Sequence, residues 1–360
     1  MTYLFLTLGE FSKFPSAKRA AGIGEALALR GHRVVISAMD CEENRKRLSI
    51  EAPHCEPCYF KRGNAFFEAL AKLQLVWKLR PQYVYSLSYS LRNLAFLRMF
   101  IPRRCRTIIE FNELYSCFSE HHVSWLIREF WALVENRYVL CASNYLVRFF
   151  KGKAAKWKLD CQFLYLPFAY PGYLKPQMEC DDTQDHVIFM SHISKGSGVF
   201  EVLEAFLRVV RKQPKAHLDL IGGGPDLREV QQWVETHGIS GSVSIHGYVP
   251  EDKLNILFSK ASVFMAPLHD TLQDWARCPS KVFYYIPYNK PIVTCRIGDP
   301  YDNLGEYAIY YEPNDLNDLE RAMSLALQTA DSFSYPAGFV SQHSWCARAE
   351  SFERWTSQND

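Results

Sequence analysis

Short apolar runs and amphipathic stretches take turns from one end of the chain to the other. Runs of β-branched, aromatic and leucine residues read as buried strands near Tyr3–Leu8, Arg33–Ala38, Tyr83–Ser88, Thr107–Phe111, Val139–Ala142 and Phe163–Leu166. Stretches with apolar residues at helical spacing lie between them, the clearest over Ala17–Arg30, Ala65–Leu79 and Ser124–Arg137. The second half repeats the pattern. Strands are expected near Val187–Met190, Leu218–Gly222, Val243–His246, Val263–Ala266, Ile292–Thr294 and Ala308–Tyr311. Helices are expected near Val199–Arg211, Asp226–Thr236, Asp252–Lys260, Ser280–Tyr285 and Leu316–Ala330. Alternation of this kind predicts α/β folding with parallel sheets.

The pattern breaks once. Residues 167–185, PFAYPGYLKPQMECDDTQD, are rich in proline and acids and carry no period, as an interdomain linker does. The expectation is therefore two Rossmann-like domains, residues 1–170 and 171–335, facing each other across a cleft. Ligands would bind there, at the carboxyl ends of the strands. Residues 336–360 contain HSWCARAESFERW, read as a final amphipathic helix that packs back on the first domain.

Composition narrows the class. No run of 18 uncharged apolar residues occurs, so no membrane-spanning helix is expected. The start, MTYLFLTLGEF, lacks a basic region and a small-residue cleavage site, so it reads as a buried first strand rather than a signal peptide. Eleven cysteines are scattered. Cys55 and Cys58 have the spacing of a zinc half-site, but no second pair follows, and reduced thiols of a cytoplasmic protein are the expectation. The net charge of +2 hides an asymmetry: residues 1–170 carry +11 and residues 171–360 carry −9. Residues 45–106 hold 13 basic and 3 acidic residues, interleaved with Phe66, Phe67, Trp77, Tyr83, Phe96 and Phe100. A basic, aromatic-laced surface suits anionic lipid headgroups or nucleic acid.

Four short motifs carry candidate chemistry. Lys195-Gly196 sits where a loop meets a helix start, so an ammonium and backbone N–H groups can converge on a phosphate; the spacing is not that of a Walker A loop. Gly222-Gly223-Gly224-Pro225 turns tightly after a strand, where glycine permits close backbone approach of a ligand. His246-Gly247-Tyr248-Val249-Pro250 ends the next strand. Cys278-Pro279-Ser280-Lys281 opens a helix, whose exposed N–H groups and positive dipole end suit an anion. No G-x-G-x-x-G follows either first strand, which argues against a dinucleotide dehydrogenase.

The order of these parts resembles the C-terminal domain of GT-B fold glycosyltransferases, most of all the family-4-type enzymes (glycosyl transferases group 1). Their KG, GxGP, GxVP and PSK…KPVV blocks recur here at Lys195-Gly196, Gly222–Pro225, Gly247–Pro250 and Pro279–Val293. In the first half, Gly31-His32-Arg33-Val34-Val35 is similar to the family's GHxVxV strand. The resemblance implies a metal-independent hexosyltransferase that needs no cofactor and uses a nucleotide-diphosphate sugar as donor. It implies that Lys195 and Lys281 neutralise the diphosphate, with Arg277 a third cation, and that Pro279, Ser280 and the helix start add hydrogen bonds. Gly196, Gly222, Gly224, Tyr248 and Tyr284 would line the donor. Relatives carry two glutamates in the last block, where this chain has Ala276 and Tyr284. Ribose binding must then differ, and Asp270 and Asp274 are the substitutes on offer.

The first domain would bind the acceptor, with Glu113 as base or orienting acid at a strand end and Lys13, Ser16, Arg19, Glu110 and His121 around it. The basic N-terminal surface adds the expectation of a lipid-linked or cell-surface glycan acceptor and of peripheral contact with the inner face of a membrane, without nucleic acid. Two other readings stay open: a nucleotide-sugar epimerase or hydrolase of the same fold, and a non-catalytic GT-B partner subunit. The missing glutamates favour the latter.

Overall fold

The computed structural model describes residues 1–11, 14–48, 54–118, 121–172, 174, 176 and 185–358. Lys13 and most of the acidic part of the expected linker lie outside the described residues. The elements run β1 (Thr2–Leu6), α1 (Pro15–Leu29), β2 (Arg33–Met39), α2 (Glu42–Leu48), β3 (Cys55–Phe60), α3 (Ala65–Leu79), β4 (Tyr83–Ser86), β5 (Arg106–Phe111), α4 (Tyr115–Phe118), α5 (His122–Glu135), β6 (Tyr138–Cys141), α6 (Asn144–Lys156) and β7 (Gln162–Tyr165). They continue β8 (Asp185–Met190), α7 (Val199–Lys212), β9 (Ala216–Ile221), α8 (Leu227–Thr236), β10 (Val243–Gly247), α9 (Glu251–Ser259), β11 (Ala261–Ala266), α10 (Leu272–Ala276) and α11 (Ser280–Tyr285). Then come β12 (Ile292–Thr294), α12 (Gly298–Leu304), β13 (Ile309–Tyr310), α13 (Leu316–Thr329), α14 (Phe339–Gln342) and α15 (Trp345–Gln358).

Two compact units result. The first comprises Met1–Ala169, Ala276–Cys278 and Ser344–Asp360; the second comprises Tyr170–Trp275 and Pro279–His343.

The first unit is built on a seven-stranded sheet in the order β3-β2-β1-β4-β5-β6-β7, every pairing parallel. Its central strands β1 and β4 are mostly apolar and buried at every position but Thr2, as in a sheet covered on both faces. α15 closes one face: Ala349, Phe352 and Trp355 join the core of Tyr3, Phe5 and Tyr85. The Tyr83 hydroxyl donates to the Thr356 carbonyl at 2.7 Å, and the Tyr3 hydroxyl lies 3.1 Å from the Thr356 hydroxyl.

One strand was not legible. β3 contains Glu56-Pro57-Cys58, and proline rarely sits in a sheet interior; here the strand pairs with β2 alone, at the sheet edge where a missing N–H is tolerated. Strand alternation puts Cys55 and Cys58 on opposite faces, so their spacing is not that of a chelating pair. Tyr83, counted with the surface aromatics in the sequence, is a core residue of β4.

The second unit has a six-stranded parallel sheet in the order β10-β9-β8-β11-β12-β13. α7 buries Val199, Val202, Leu203, Phe206 and Val209 on one face, with Glu201 in its first turn and Arg211 and Lys212 in its last, each complementing the helix dipole. α11 is short, six residues after Pro279, and a 3₁₀ turn over Ile286–Tyr288 ends it at Asn289 in the left-handed region. The Lys290-Pro291 step then leads into β12.

Candidate functional site

In the second unit the four motifs, spread from residue 195 to residue 281, meet around one segment that runs from the end of β8 to the turn before α7. β8 ends at Met190, whose N–H donates to the Tyr285 hydroxyl of α11 at 3.1 Å. One turn earlier on α11, the Lys281 ammonium lies 5.1 Å from the ring centre of Phe189 in β8. The PSK helix is thus fixed to the carboxyl end of β8.

The glycine turn is fixed to the same segment. Ser191 donates its N–H to Ile221 O at 2.9 Å, Ile193 to Gly223 O at 3.0 Å, and Gly222 to Gly247 O at 2.7 Å. Gly222 has φ +131°, and a Cβ there would collide with the Ser191 carbonyl; one on Gly224 would collide with the Ile193 carbonyl. These two glycines were expected to admit a ligand. Their lack of a Cβ is required by the protein's own backbone, while Gly223 has open space around it. The Asp226 carboxylate, just past Pro225, accepts the Lys195 N–H at 2.8 Å and so ties the glycine turn to the KG turn. Lys195 and Gly196 are exposed on that turn, and the Lys195 ammonium sits 3.2 Å from Glu229 with both side chains more than half exposed. Tyr248 is exposed, Pro279 and Ser280 are half-buried, and Tyr284 is buried.

Asp274 does not offer its carboxylate to solvent. It is buried, accepts the His269 N–H at 2.7 Å and lies 3.6 Å from His269 Nδ1. The other ring nitrogen of His269 is 3.2 Å from Glu201 in the first turn of α7. Asp274 and Glu201 together push the imidazole up to about 9, so it carries a proton at neutral pH, and His269 in turn holds Glu201 below the usual carboxylate range. His269 was missed in the sequence; its position in the loop after β11, beside acids, was the available signal. Asp270 accepts from the Trp275 indole at 2.7 Å.

The same unit has a second polar cluster. Asp219 takes His186 Nδ1 on one oxygen and His246 Nε2 on the other, both at 2.6 Å, which holds its carboxyl low despite burial. A shared carboxylate between two rings leaves no common centre for a metal. No group of three His, Cys, Asp or Glu suited to a metal occurs among the described residues.

In the first unit the expected acceptor residues separate. Arg19 and Glu110 are buried and face each other in an ion pair, and Arg19 also donates to the Leu166 carbonyl. Their expected role at an open site gives way to a structural one joining α1, β5 and the end of β7. Burial pushes the Glu110 carboxyl up while Arg19 opposes the shift. Glu113 is half-buried; desolvation raises its carboxyl and the Arg277 guanidinium, in the same unit, pulls the other way. The chain at Arg277 is held by Ser143, whose hydroxyl donates to Ala276 O at 2.5 Å, and by Cys278, whose sulfur accepts the Phe168 N–H at 3.2 Å. Ser16 is half-buried in the first turn of α1, and His121 is exposed before α5.

An unforeseen residue orders the loop ahead of α1. Asn44 is fully buried; it accepts the Phe11 N–H at 2.9 Å and donates to Gly9 O at 3.0 Å and Met39 O at 2.9 Å.

Residues 184–329 match the protein family described as Glycosyl transferases group 1. No curated protein sequence matches the chain. Among solved structures, Alr3699/HepE of Anabaena in complex with UDP superposes with a TM-score of 0.78 at 11% identity, covering 99% of this chain and 100% of that one. The sucrose-phosphate synthase of Thermosynechococcus elongatus does so at 0.73 with 15% identity, covering 99% and 98%. The lipopolysaccharide outer core galactosyltransferase WaaB gives 0.65 at 12% identity over the whole of both chains. At these identities the likeness is one of fold, and the fold is that of the GT-B glycosyltransferases.

Proposed function

We propose that this chain, a GT-B protein whose residues 184–329 match the group 1 glycosyl transferases, moves a hexose from a nucleoside-diphosphate sugar to a lipid-linked or cell-surface glycan acceptor without a metal ion. One observation carries the reading. The KG and GGGP motifs are bonded to each other through the segment after β8, GYVP joins them through the bond from Gly222 N–H to Gly247 O, and the PSK helix is tied to the end of β8 by Tyr285. That segment lies at the carboxyl edge of a parallel sheet, where α/β folds bind nucleotides. Related folds crystallised with UDP support uridine diphosphate as the leaving group.

Cleaving the sugar–diphosphate bond builds negative charge on the departing phosphate. Lys281 is directed to the end of β8 by its helix, and Lys195 stands on an adjacent turn, exposed and free to exchange Glu229 for a phosphate. Cations placed before the charge develops stabilise it more than it is stabilised in the ground state. Glu113, raised by burial, is the acceptor-side group suited to take a proton. The acceptor class rests on the basic, aromatic first unit, and the protein would work at the inner face of a membrane.

The experiment is a thermal-shift panel of UDP, GDP, ADP, CDP and their common sugars on the wild type and on Lys281→Ala. A ligand that binds only the native state raises the melting temperature. A shift with one nucleotide, lost in the variant, supports the reading. No shift with any of them favours a non-catalytic GT-B subunit, for which the buried Ala276 and Tyr284 at the glutamate positions speak. Free nucleoside diphosphate and free sugar without transfer would instead establish a hydrolase.

A further inference from the structure

The amino edge of the first sheet holds a recess that the transfer reaction does not use. Arg106, Tyr138 and Gln162 are the first residues of β5, β6 and β7. Backbone bonds fix this edge: the Arg106 N–H donates to Gln82 O at 2.8 Å and the Gln162 N–H to Arg137 O at 2.7 Å. Together with Arg98, from the 3₁₀ turn Arg98–Phe100, and Gln358 at the end of α15, they line a pocket of about 470 Å³. That volume is in the range of small-molecule sites. Parallel α/β sheets bind their substrates at the other edge. Glu113, the acceptor-side acid, follows the carboxyl end of β5, which is roughly 17 Å from Arg106 at about 3.3 Å per residue.

The charge of the recess is one-sided. Arg98, Arg106 and Arg137 all line it, and no carboxylate does so among the described residues. The Arg106 guanidinium lies 5.9 Å from the ring centres of both Tyr83 and Tyr138, which hold it in place. Burial pulls Arg98 below its ordinary value, with Glu135 among the charges that oppose the shift. Glu135 itself accepts the Phe96 N–H at 3.0 Å and the Tyr89 hydroxyl at 2.7 Å on one oxygen. Arg137 pairs with Asp160 at 3.1 Å, with both side chains more than half exposed, a weak bond that an anion can replace.

Two polar groups of the recess are buried without a partner. Arg98 donates to Cys105 O at 3.1 Å through Nη2, but its Nη1 has no acceptor. Thr107, only 4% exposed, leaves its hydroxyl unpaired. The cavity on their inner side measures about 10 Å³, the space of one water, so an anion can approach them only from the pocket. Desolvated donors without acceptors call for a ligand that brings its own.

We propose that the recess binds a soluble anion bearing two or more phosphate groups, held by Arg98, Arg106 and Arg137 and separate from the donor site of the second unit. Guanidinium forks match phosphate oxygens in pairs, and three such charges match a diphosphate better than a single phosphate. The Thr107 hydroxyl and the Gln162 amide add neutral donors. The anion also has a route into the fold. Arg106 Nη1 donates to the Tyr83 hydroxyl at 3.1 Å, and that hydroxyl donates to Thr356 O of α15 at 2.7 Å. A ligand that fixes Arg106 therefore steadies the last turn of a helix that supplies part of the core.

The test is a set of melting curves and calorimetric titrations of the full chain with orthophosphate, pyrophosphate and tripolyphosphate, at constant ionic strength set with chloride. It needs neither sugar donor nor acceptor, so its failure and the failure of the transfer reading are distinguishable. The melting temperature should rise with pyrophosphate and tripolyphosphate, and less with orthophosphate. Arg137→Ala should raise the pyrophosphate Kd about tenfold, the effect of losing one charged hydrogen bond. Thr107→Val should leave the apoprotein at least as stable, because it removes an unpaired buried hydroxyl, yet raise that Kd about threefold. Lys281→Ala, a change in the donor site, should keep the full response. No rise beyond that with chloride overturns the proposal, as does an Arg137→Ala variant that binds pyrophosphate like the wild type. A response lost in Lys281→Ala and intact in Arg137→Ala would assign the anion to the donor site and overturn it too. So would stabilisation by phosphatidylglycerol vesicles with none from the soluble anions, which would make the occupant a lipid phosphate.

Discussion

Gly224 lies directly against Ile193, so close that a Cβ on the glycine would sit inside the carbonyl oxygen of the isoleucine. The contact joins the glycine turn to the segment after β8 and accounts for a residue that looked reserved for a ligand. Gly224→Ala must push backbone against backbone and should destabilise the second unit by about 2–4 kcal/mol, within the range of overpacked sites. Gly223→Ala, with nothing within 4 Å, should leave the melting temperature nearly unchanged and, if Gly223 borders the donor, lower nucleotide affinity alone. Melting curves of the two variants, with and without UDP, separate the packing role from the binding role.

Lys281→Ala and Lys195→Ala should each lower kcat/KM for sugar transfer by about 10²–10³, the usual effect of deleting one preorganised charge-stabilising group. Loss of either ammonium should leave stability in the absence of nucleotide unchanged. Steady-state kinetics beside melting curves of the apoprotein check both halves; an unchanged kcat/KM in both variants would remove the lysines from the reaction.

His269 makes stability depend on pH with a definite sign. Its folded-state value is raised from 6.5 to about 9 by Asp274 and Glu201. A base with a raised value contributes most below its unfolded value, so the stabilisation is complete below about pH 6.5 and is lost as pH rises through about 9. The melting temperature of His269→Gln should lie below that of wild type at pH 6, and the gap should narrow by pH 9.5. A constant gap would mean that the ring acts by packing rather than by charge.

Asn44→Ala would strand the Phe11 N–H and remove donors to Gly9 O and Met39 O in a buried place. The expected cost is about 3 kcal/mol, since each unsatisfied buried group costs about 1–3. Asn44→Asp keeps the acceptor for Phe11 but sets a buried carboxylate against two carbonyl oxygens, so at neutral pH it should cost at least as much as alanine. Urea unfolding of the three proteins measures the order.

Removal of residues 344–360 should prevent the first unit from folding. α15 supplies Ala349, Phe352 and Trp355 to its core, and the Trp345 indole covers Gly22 so closely that a Cβ there would have no room. Insoluble or uncooperatively melting protein is the expected result, and a soluble fragment with a native melting transition would contradict it.

Much of this protein was legible in one dimension. The alternation of apolar runs and helical stretches depends on residues a few positions apart, and it determined the parallel α/β class and nearly every strand. The motif order pointed to the end of the second sheet for the same reason: each motif is a local loop shape. β3 escaped because whether Glu56-Pro57-Cys58 is strand or loop depends on its lying at an edge, which only β2 decides. The partners of polar groups were likewise decided by the tertiary structure. Arg19 found Glu110 across 91 positions, Asp274 turned inward to His269, and Gly222 and Gly224 met the backbone of Ser191 and Ile193. A polar or glycine residue advertises a chemical need, and that need can be met by many partners. Which one meets it is settled by distances that exist only once the sheets and helices have packed.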